Sequence, residues 1–119
     1  MAVYSKSFIV AANQTARELG SGDLDVLATP ALIAMVENTA KVLLAKVLTT
    51  EETSVGTKID MVHRRPSAVG AEITVNVKQE TEKQVKVDFS FDVYEGSELI
   101  AKGTHQRAVV VTEAFLSRL

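Results

Sequence analysis

The sequence predicts an α+β fold in which one long buried helix lies on one face of a curved antiparallel five-stranded sheet. Two observations carry this. Residues 29–48 are apolar or small around most of a helical circumference, as in a helix that is largely buried. After Thr50 the period changes from helical to two, and apolar–polar alternation recurs in successive runs. Such alternation gives each strand one wet face and one buried face, as antiparallel sheets have.

Taken in order, residues 3–10 read as a strand end running into a turn. Residues 14–19 allow one or two helical turns, stopped by Gly20-Ser21-Gly22. Thr29-Pro30 opens the long helix. Thr29 reads as its N-cap, with Pro30 at the first helical position, where a missing N–H costs nothing. The run continues to about Leu48 and would span about 30 Å. In the next strand, Val55, Thr57, Ile59, Met61 and His63 alternate with Gly56, Lys58, Asp60, Val62 and Arg64, and Pro66 and Gly70 end it. Ile73, Val75 and Val77 mark one face of a third strand. Val85, Val87, Phe89, Phe91 and Val93 mark a fourth. Glu95-Gly96-Ser97 turns the chain into a last strand from about Leu99 to Thr112. A helix laid on one face of such a sheet is a two-layer α+β arrangement. It is the hotdog pattern, with the sheet as bun and the helix as sausage.

Composition narrows the function classes. A length of 119 residues suits a single domain, 1–119, able to bury a core without staples. There is no cysteine, which excludes a disulfide scaffold, a thiol nucleophile and thiolate metal sites. No His/carboxylate cluster has ligand spacing, so no metal is expected. The formal charge is -2, with Lys and Arg scattered, which argues against nucleic acid as a partner. The longest apolar run, Ala31 to Val36, is far short of the roughly 20 residues that span a bilayer, so no membrane is expected either. Residues 1–6 lack a basic segment leading into a long apolar stretch. A cytoplasmic location is the expectation.

Three residues could carry chemistry, and each has a plainer reading. Thr29 sits at a helix start, where free backbone N–H groups and the dipole favour negative charge, yet most such threonines are only caps. Glu37 lies in a largely apolar helix, where burial would raise its pKa and suit it to a base or nucleophile. Alternatively, Glu37 and Lys41 form an exposed i,i+4 pair within a narrow wet stripe. His63 falls on the face shared with Ile59 and Met61, where a neutral imidazole could assist at a carbonyl or a leaving thiolate. It could equally be a strand-end histidine satisfied by backbone. Arg64 and Arg65 read as a solvated strand end or as a grip on phosphates. His105 receives no chemical role.

Thr29-Pro30, Glu37 eight residues later, and Gly56-Thr57 leading to His63 resemble the fluoroacetyl-CoA thioesterase group of hotdog proteins. So does the late run Gly103-Thr104-His105-Gln106-Arg107-Ala108-Val109. The similarity extends from Phe8 to about Val111. It implies an acyl-CoA thioesterase with Thr29, Glu37 and His63 as the catalytic set, Gly56 near the thioester, and Arg107 binding substrate or CoA. No cofactor is implied, since CoA enters as part of the substrate. One departure concerns specificity. That group's fluoroacetate-specific enzyme carries a phenylalanine lid just before the helix, whereas Gly22-Asp23-Leu24-Asp25-Val26-Leu27 holds no aromatic residue. A different short acyl group is therefore expected. A non-catalytic acyl-CoA binder and a hotdog hydratase are the rival readings, the second disfavoured because Glu37-Asn38 stands where an Asp/His pair is usual.

Thr29 and Glu37 lie about 12 Å apart along one helix axis, in directions that differ by roughly 80°. They cannot readily meet one carbon atom within a single chain. The resemblance implies sheet-to-sheet dimers with the site at the seam. A homodimer with two equivalent composite sites is expected, with assembly of two dimers into a tetramer left open.

Overall fold

The strand faces foreseen as apolar close over one helix in the computed structural model, which describes residues 2–119. Strand β1 (Val3–Ile9) leads through a short 3-10 turn (Ala12–Gln14) and helix α1 (Ala16–Leu19) to helix α2 (Thr29–Ala45). Then come β2 (Glu52–His63), β3 (Glu72–Lys83), β4 (Lys86–Glu95), β5 (Glu98–Val111) and a short helix α3 (Thr112–Leu116). The sheet order is β1-β3-β4-β5-β2 and every pairing is antiparallel. The two strands that flank α2 in sequence therefore form opposite edges of the sheet, and α2 lies across the face between them.

Leu32, Met35, Val36, Ala40, Leu43 and Leu44 of α2 are buried, and so are Ile73, Val75 and Val77 of β3 and Val87, Phe89, Phe91 and Val93 of β4. Fully burying each large member of such a set contributes about 1.5–3 kcal/mol. The opposite sheet face is polar and cross-linked. Ser5 Oγ donates to Asn76 Oδ1, Asn76 Nδ2 to Asp92 Oδ1, and Ser90 Oγ to Glu80 Oε2. No helix among the described residues is long and apolar enough to cross a membrane.

Three details depart from the sequence-based expectation. Helix α2 ends at Ala45 rather than near Leu48, where the backbone closes in tighter turns. Its N-cap is Ala28, not Thr29. Leu32 N–H bonds the Ala28 carbonyl, Ala28 is extended at φ -69° and ψ 141°, and Thr29 and Pro30 occupy the first helical turn. The third departure is in β2. The register against β5 shifts between Gly56 and Lys58, so Thr57 is an inserted residue in a β-bulge. The bulge reverses the alternation. Ser54 and Gly56, not Val55 and Thr57, share the helix-facing side with Ile59, Met61 and His63, while the Thr57 hydroxyl turns to Gln106.

At Gly103 the backbone of β2 lies where a side chain on β5 would stand. A Cβ there would collide with the Asp60 carbonyl oxygen and crowd backbone atoms of Asp60 and Met61. Backbone cannot swing aside as a side chain can. Gly103→Ala is expected to destabilise the fold by about 3 kcal/mol or more, seen as a lowered urea midpoint. An unchanged midpoint would mean that β2 and β5 are not packed as described.

Candidate active site

The turn after β2 sets the first of two polar clusters. Leu27 N–H donates to the Ser67 carbonyl, Val26 bridges to Ala68, and Ala28 N–H donates to the Gln14 carbonyl. These bonds clamp the entry to α2 against the end of β2, and they place Thr29 beside His63. Because Ala28 serves as the cap, the Thr29 hydroxyl is not spent on the helix. Its Oγ1 lies 2.8 Å from His63 Nδ1. The other ring nitrogen, His63 Nε2, is buried and has no hydrogen-bond partner in the protein. Burial holds the His63 imidazole below the usual histidine range, with the Arg65 backbone partly opposing the shift. The pair opens onto a cleft of about 290 Å³, bordered by Leu27, Ala28, Pro30, Arg64 and Arg65. Arg65 pairs with Glu98 at 3.1 Å, and Arg64 is exposed.

The second cluster gathers around Glu37. The carboxylate meets Arg107, with Nη1 to Oε2 at 3.6 Å, rather than pairing with Lys41. It lies directly over Gly56, where any Cβ would collide with Oε2. Arg107 itself is only 5% exposed. Its Nε donates to Ser54 Oγ at 2.9 Å and its Nη2 to the Ser54 carbonyl at 3.1 Å, while Nη1 reaches His105 Nε2 at 3.1 Å. His105 Nδ1 in turn bonds the Lys58 carbonyl at 2.8 Å. Burial lowers the pKa of the Arg107 guanidinium, and Glu37 opposes that. It stays a cation, as arginine does in proteins.

The structure therefore brings Thr29 to His63, and Glu37 to Gly56 and Arg107. It does not bring the two groups together. Glu37 and Thr29 are two turns apart on α2, and Gly56 and His63 are seven residues apart on β2, about 20 Å. Among the described residues no hydrogen bond or ion pair joins one cluster to the other. His105 and Ser54 were missed by sequence reasoning. The only signal was the spacing His105-x-Arg107 on a strand, which puts both on one face.

Residues 10–113 match the family model described as fluoroacetyl-CoA-specific thioesterase, FlK. The chain belongs to that family. A fluoroacetyl-CoA thioesterase from Streptantibioticus cattleyicolor is 25% identical over 98% of this chain and 88% of its own length. A crystal structure of a substituted FlK in complex with fluoroacetate and CoA superposes with a TM-score of 0.91 at 25% identity, covering 96% of each chain. A hot-dog-like protein from Thermanaerovibrio acidaminovorans superposes at 0.89 with 20% identity, over 98% of this chain and 87% of its own, and shows the fold. The hotdog architecture read from the element order and the assignment to thioester hydrolases both hold.

The two histidines carry a pH signature. Burial also lowers the His105 pKa, helped by Arg107 and opposed by the Lys58 carbonyl and Glu37. Both histidines thus bind protons less readily folded than unfolded, where the pKa is about 6.5. Their neutral forms contribute stability that is present above that value and lost as pH falls through the lower folded values. Urea midpoints are expected to hold above about pH 7 and to decline from pH 6.5 towards pH 5. In His63→Asn the decline should be shallower. A flat profile in the wild type would contradict the burial of both rings.

Proposed function

We propose that the protein hydrolyses a short-chain acyl-CoA thioester to the free acid and CoA. The site combines Thr29 and His63 of one subunit with Glu37 and Gly56 of a second copy related by a two-fold axis. The observation that carries this reading is the Thr29–His63 bond, which leaves Nε2 buried, unpartnered and beside a cleft.

The chemistry follows from the donors. If the Thr29 hydroxyl donates to Nδ1, the neutral ring carries its proton on Nε2. That N–H is available to the thioester carbonyl oxygen, and it strengthens as negative charge develops there. Glu37 takes a proton from water as the water oxygen bonds to the carbonyl carbon. When the tetrahedral centre collapses, the C–S bond breaks and the sulfur leaves with the proton that Glu37 holds. Acid and thiol are released and both residues return to their starting states. In this reading water is the attacking group, and Thr29 fixes the ring through its bond to Nδ1.

Support for the two-fold arrangement comes from β2. It is an edge strand of 12 residues, with one row of backbone donors and acceptors open to pairing. Val62 is 57% exposed, and Ile59 and Met61 are only partly buried. Antiparallel pairing of two β2 strands sets each end of one beside the opposite end of the other. Gly56 with Glu37 would then face the partner's His63 with Thr29. Arg64, exposed at the cleft mouth, is suited to meet the phosphates of CoA. The segment before α2 holds no aromatic residue, and Leu24 there is 66% exposed. That favours a short acyl group other than fluoroacetyl.

Free-thiol release across short, branched and aromatic acyl-CoAs tests the proposal. Glu37→Gln and His63→Ala are each expected to depress kcat by about 100-fold or more with the fold intact. Near-normal rates in both would end the catalytic assignment.

A further inference from the structure

The buried imidazole on β5 has no part in the chemistry above, yet it stands one residue away from it. His105 is 3% exposed and its ring packs on Phe89, with centroids 6.1 Å apart and planes 27° from parallel. Its two nitrogens face groups of fixed character. The Lys58 carbonyl at Nδ1 can only accept, so Nδ1 must carry a proton. The Arg107 Nη1 group at Nε2 can only donate, so Nε2 must present a lone pair. A doubly protonated ring would set one donor against another and one cation against another in a buried space. The neutral Nδ1–H tautomer is the form that satisfies both contacts.

Nη1 of Arg107 is the nitrogen that also reaches Glu37 Oε2. The carboxylate needs such a restraint. The Glu37 side chain is 40% exposed, and Arg107 is its one charged or hydrogen-bonding partner among the described residues. Ser54 meets the guanidinium at Nε and Nη2, and the planar group carries Nη1 to the side of Glu37. There His105 Nε2 is the one hydrogen-bond acceptor that Nη1 meets among the described residues, and it holds that edge of the plane in place. The bulge at Thr57 is part of the same device. It turns Gly56 under the carboxylate, and it puts the carbonyl of the next residue, Lys58, on the imidazole.

We propose that His105 is a positioning residue whose Nε2 lone pair orients Arg107 and thereby holds the Glu37 carboxylate over Gly56. This rests on the proposed role of Glu37 in thioester hydrolysis. A carboxylate displaced by about 1 Å can lose a large part of the rate, of order 100-fold. Substrate affinity need not change, because His105 does not reach the cleft beside His63.

Two measurements test it. In 15N-labelled wild-type protein at pH 7, the imidazole nitrogens of His105 are expected to read as protonated Nδ1 and bare Nε2. A proton on Nε2 would overturn the proposal whether or not the chain proves to be a thioesterase. In kinetics, His105→Phe keeps the ring packing and deletes the acceptor. Its kcat should fall by about 10- to 100-fold with KM within about threefold. His105→Gln, which restores an acceptor near the Nε2 position, should recover most of that loss. Equal impairment of both variants, or wild-type kcat in both, would overturn the proposal. If the Phe variant does not fold, the nitrogen assignment and the Gln variant decide it. A wild-type chain that releases no thiol would instead sink the hydrolase reading, and the nitrogen assignment would still judge the clamp.

Discussion

Strand β2 carries a different pair of polar contacts at each of its ends, and its length keeps them apart. Near its start, Gly56 lies under Glu37, and at its close His63 bonds Thr29. Helix α2 spans the same interval, with Thr29 and Glu37 about 12 Å apart along its axis. Neither element can bend to join the pairs without losing the core between them, where Leu32, Val36 and Ala40 are fully buried. The separation is thus a consequence of packing a rigid helix on a rigid sheet. In the proposed site a second chain supplies the missing pair, and the open edge of β2 is the surface it would use.

Energetics explain why the Glu37 cluster is so heavily bonded. A guanidinium that is almost fully buried is costly unless its donors are met. Arg107 meets acceptors on Ser54, His105 and Glu37. Ser54, His105 and Arg107 close the interior side of the cluster, and Glu37 and Gly56 form its open side. In the proposed mechanism, preorganisation of this kind would set the Glu37 oxygen before substrate arrives. The Thr29–His63 pair is built differently. It is held by backbone bonds from residues 26–28 to residues 14 and 67, and it keeps one ring nitrogen without a protein partner.

Much of this could be read from the sequence because it depends on periodicity. The alternation of Val87, Phe89, Phe91 and Val93 marks β4, and the apolar girth of residues 29–48 marks α2, three residues too long at its end. What periodicity cannot record is an insertion. A single extra residue at Thr57 reverses which side chains face the helix, and nothing in the apolar pattern marks it, because Gly56 and Ser54 are not apolar. His105 escaped notice for a related reason. Its meaning comes from the strand register that sets the Lys58 carbonyl opposite its ring, which is a tertiary fact. Thr29 was legible as a helix start but misassigned as a cap. The helix begins one residue earlier because Ala28 is pinned by Gln14, a contact no local rule foresees. Glu37 had two readings of comparable standing, and the contact with Arg107, 70 residues away, sets aside the pair with Lys41.

The central claim is that one working site draws on two chains. Mixing subunits examines it most directly. Glu37→Gln and His63→Ala proteins, each inactive alone, would be unfolded together and refolded at equal amounts. If the site is shared, each mixed dimer holds one site with both lesions and one with neither, and thiol release should return to about a quarter of the wild-type rate. If the mixture stays as inactive as its parents while native mass spectrometry shows that mixed dimers have formed, each site is complete within one chain and the shared site is wrong.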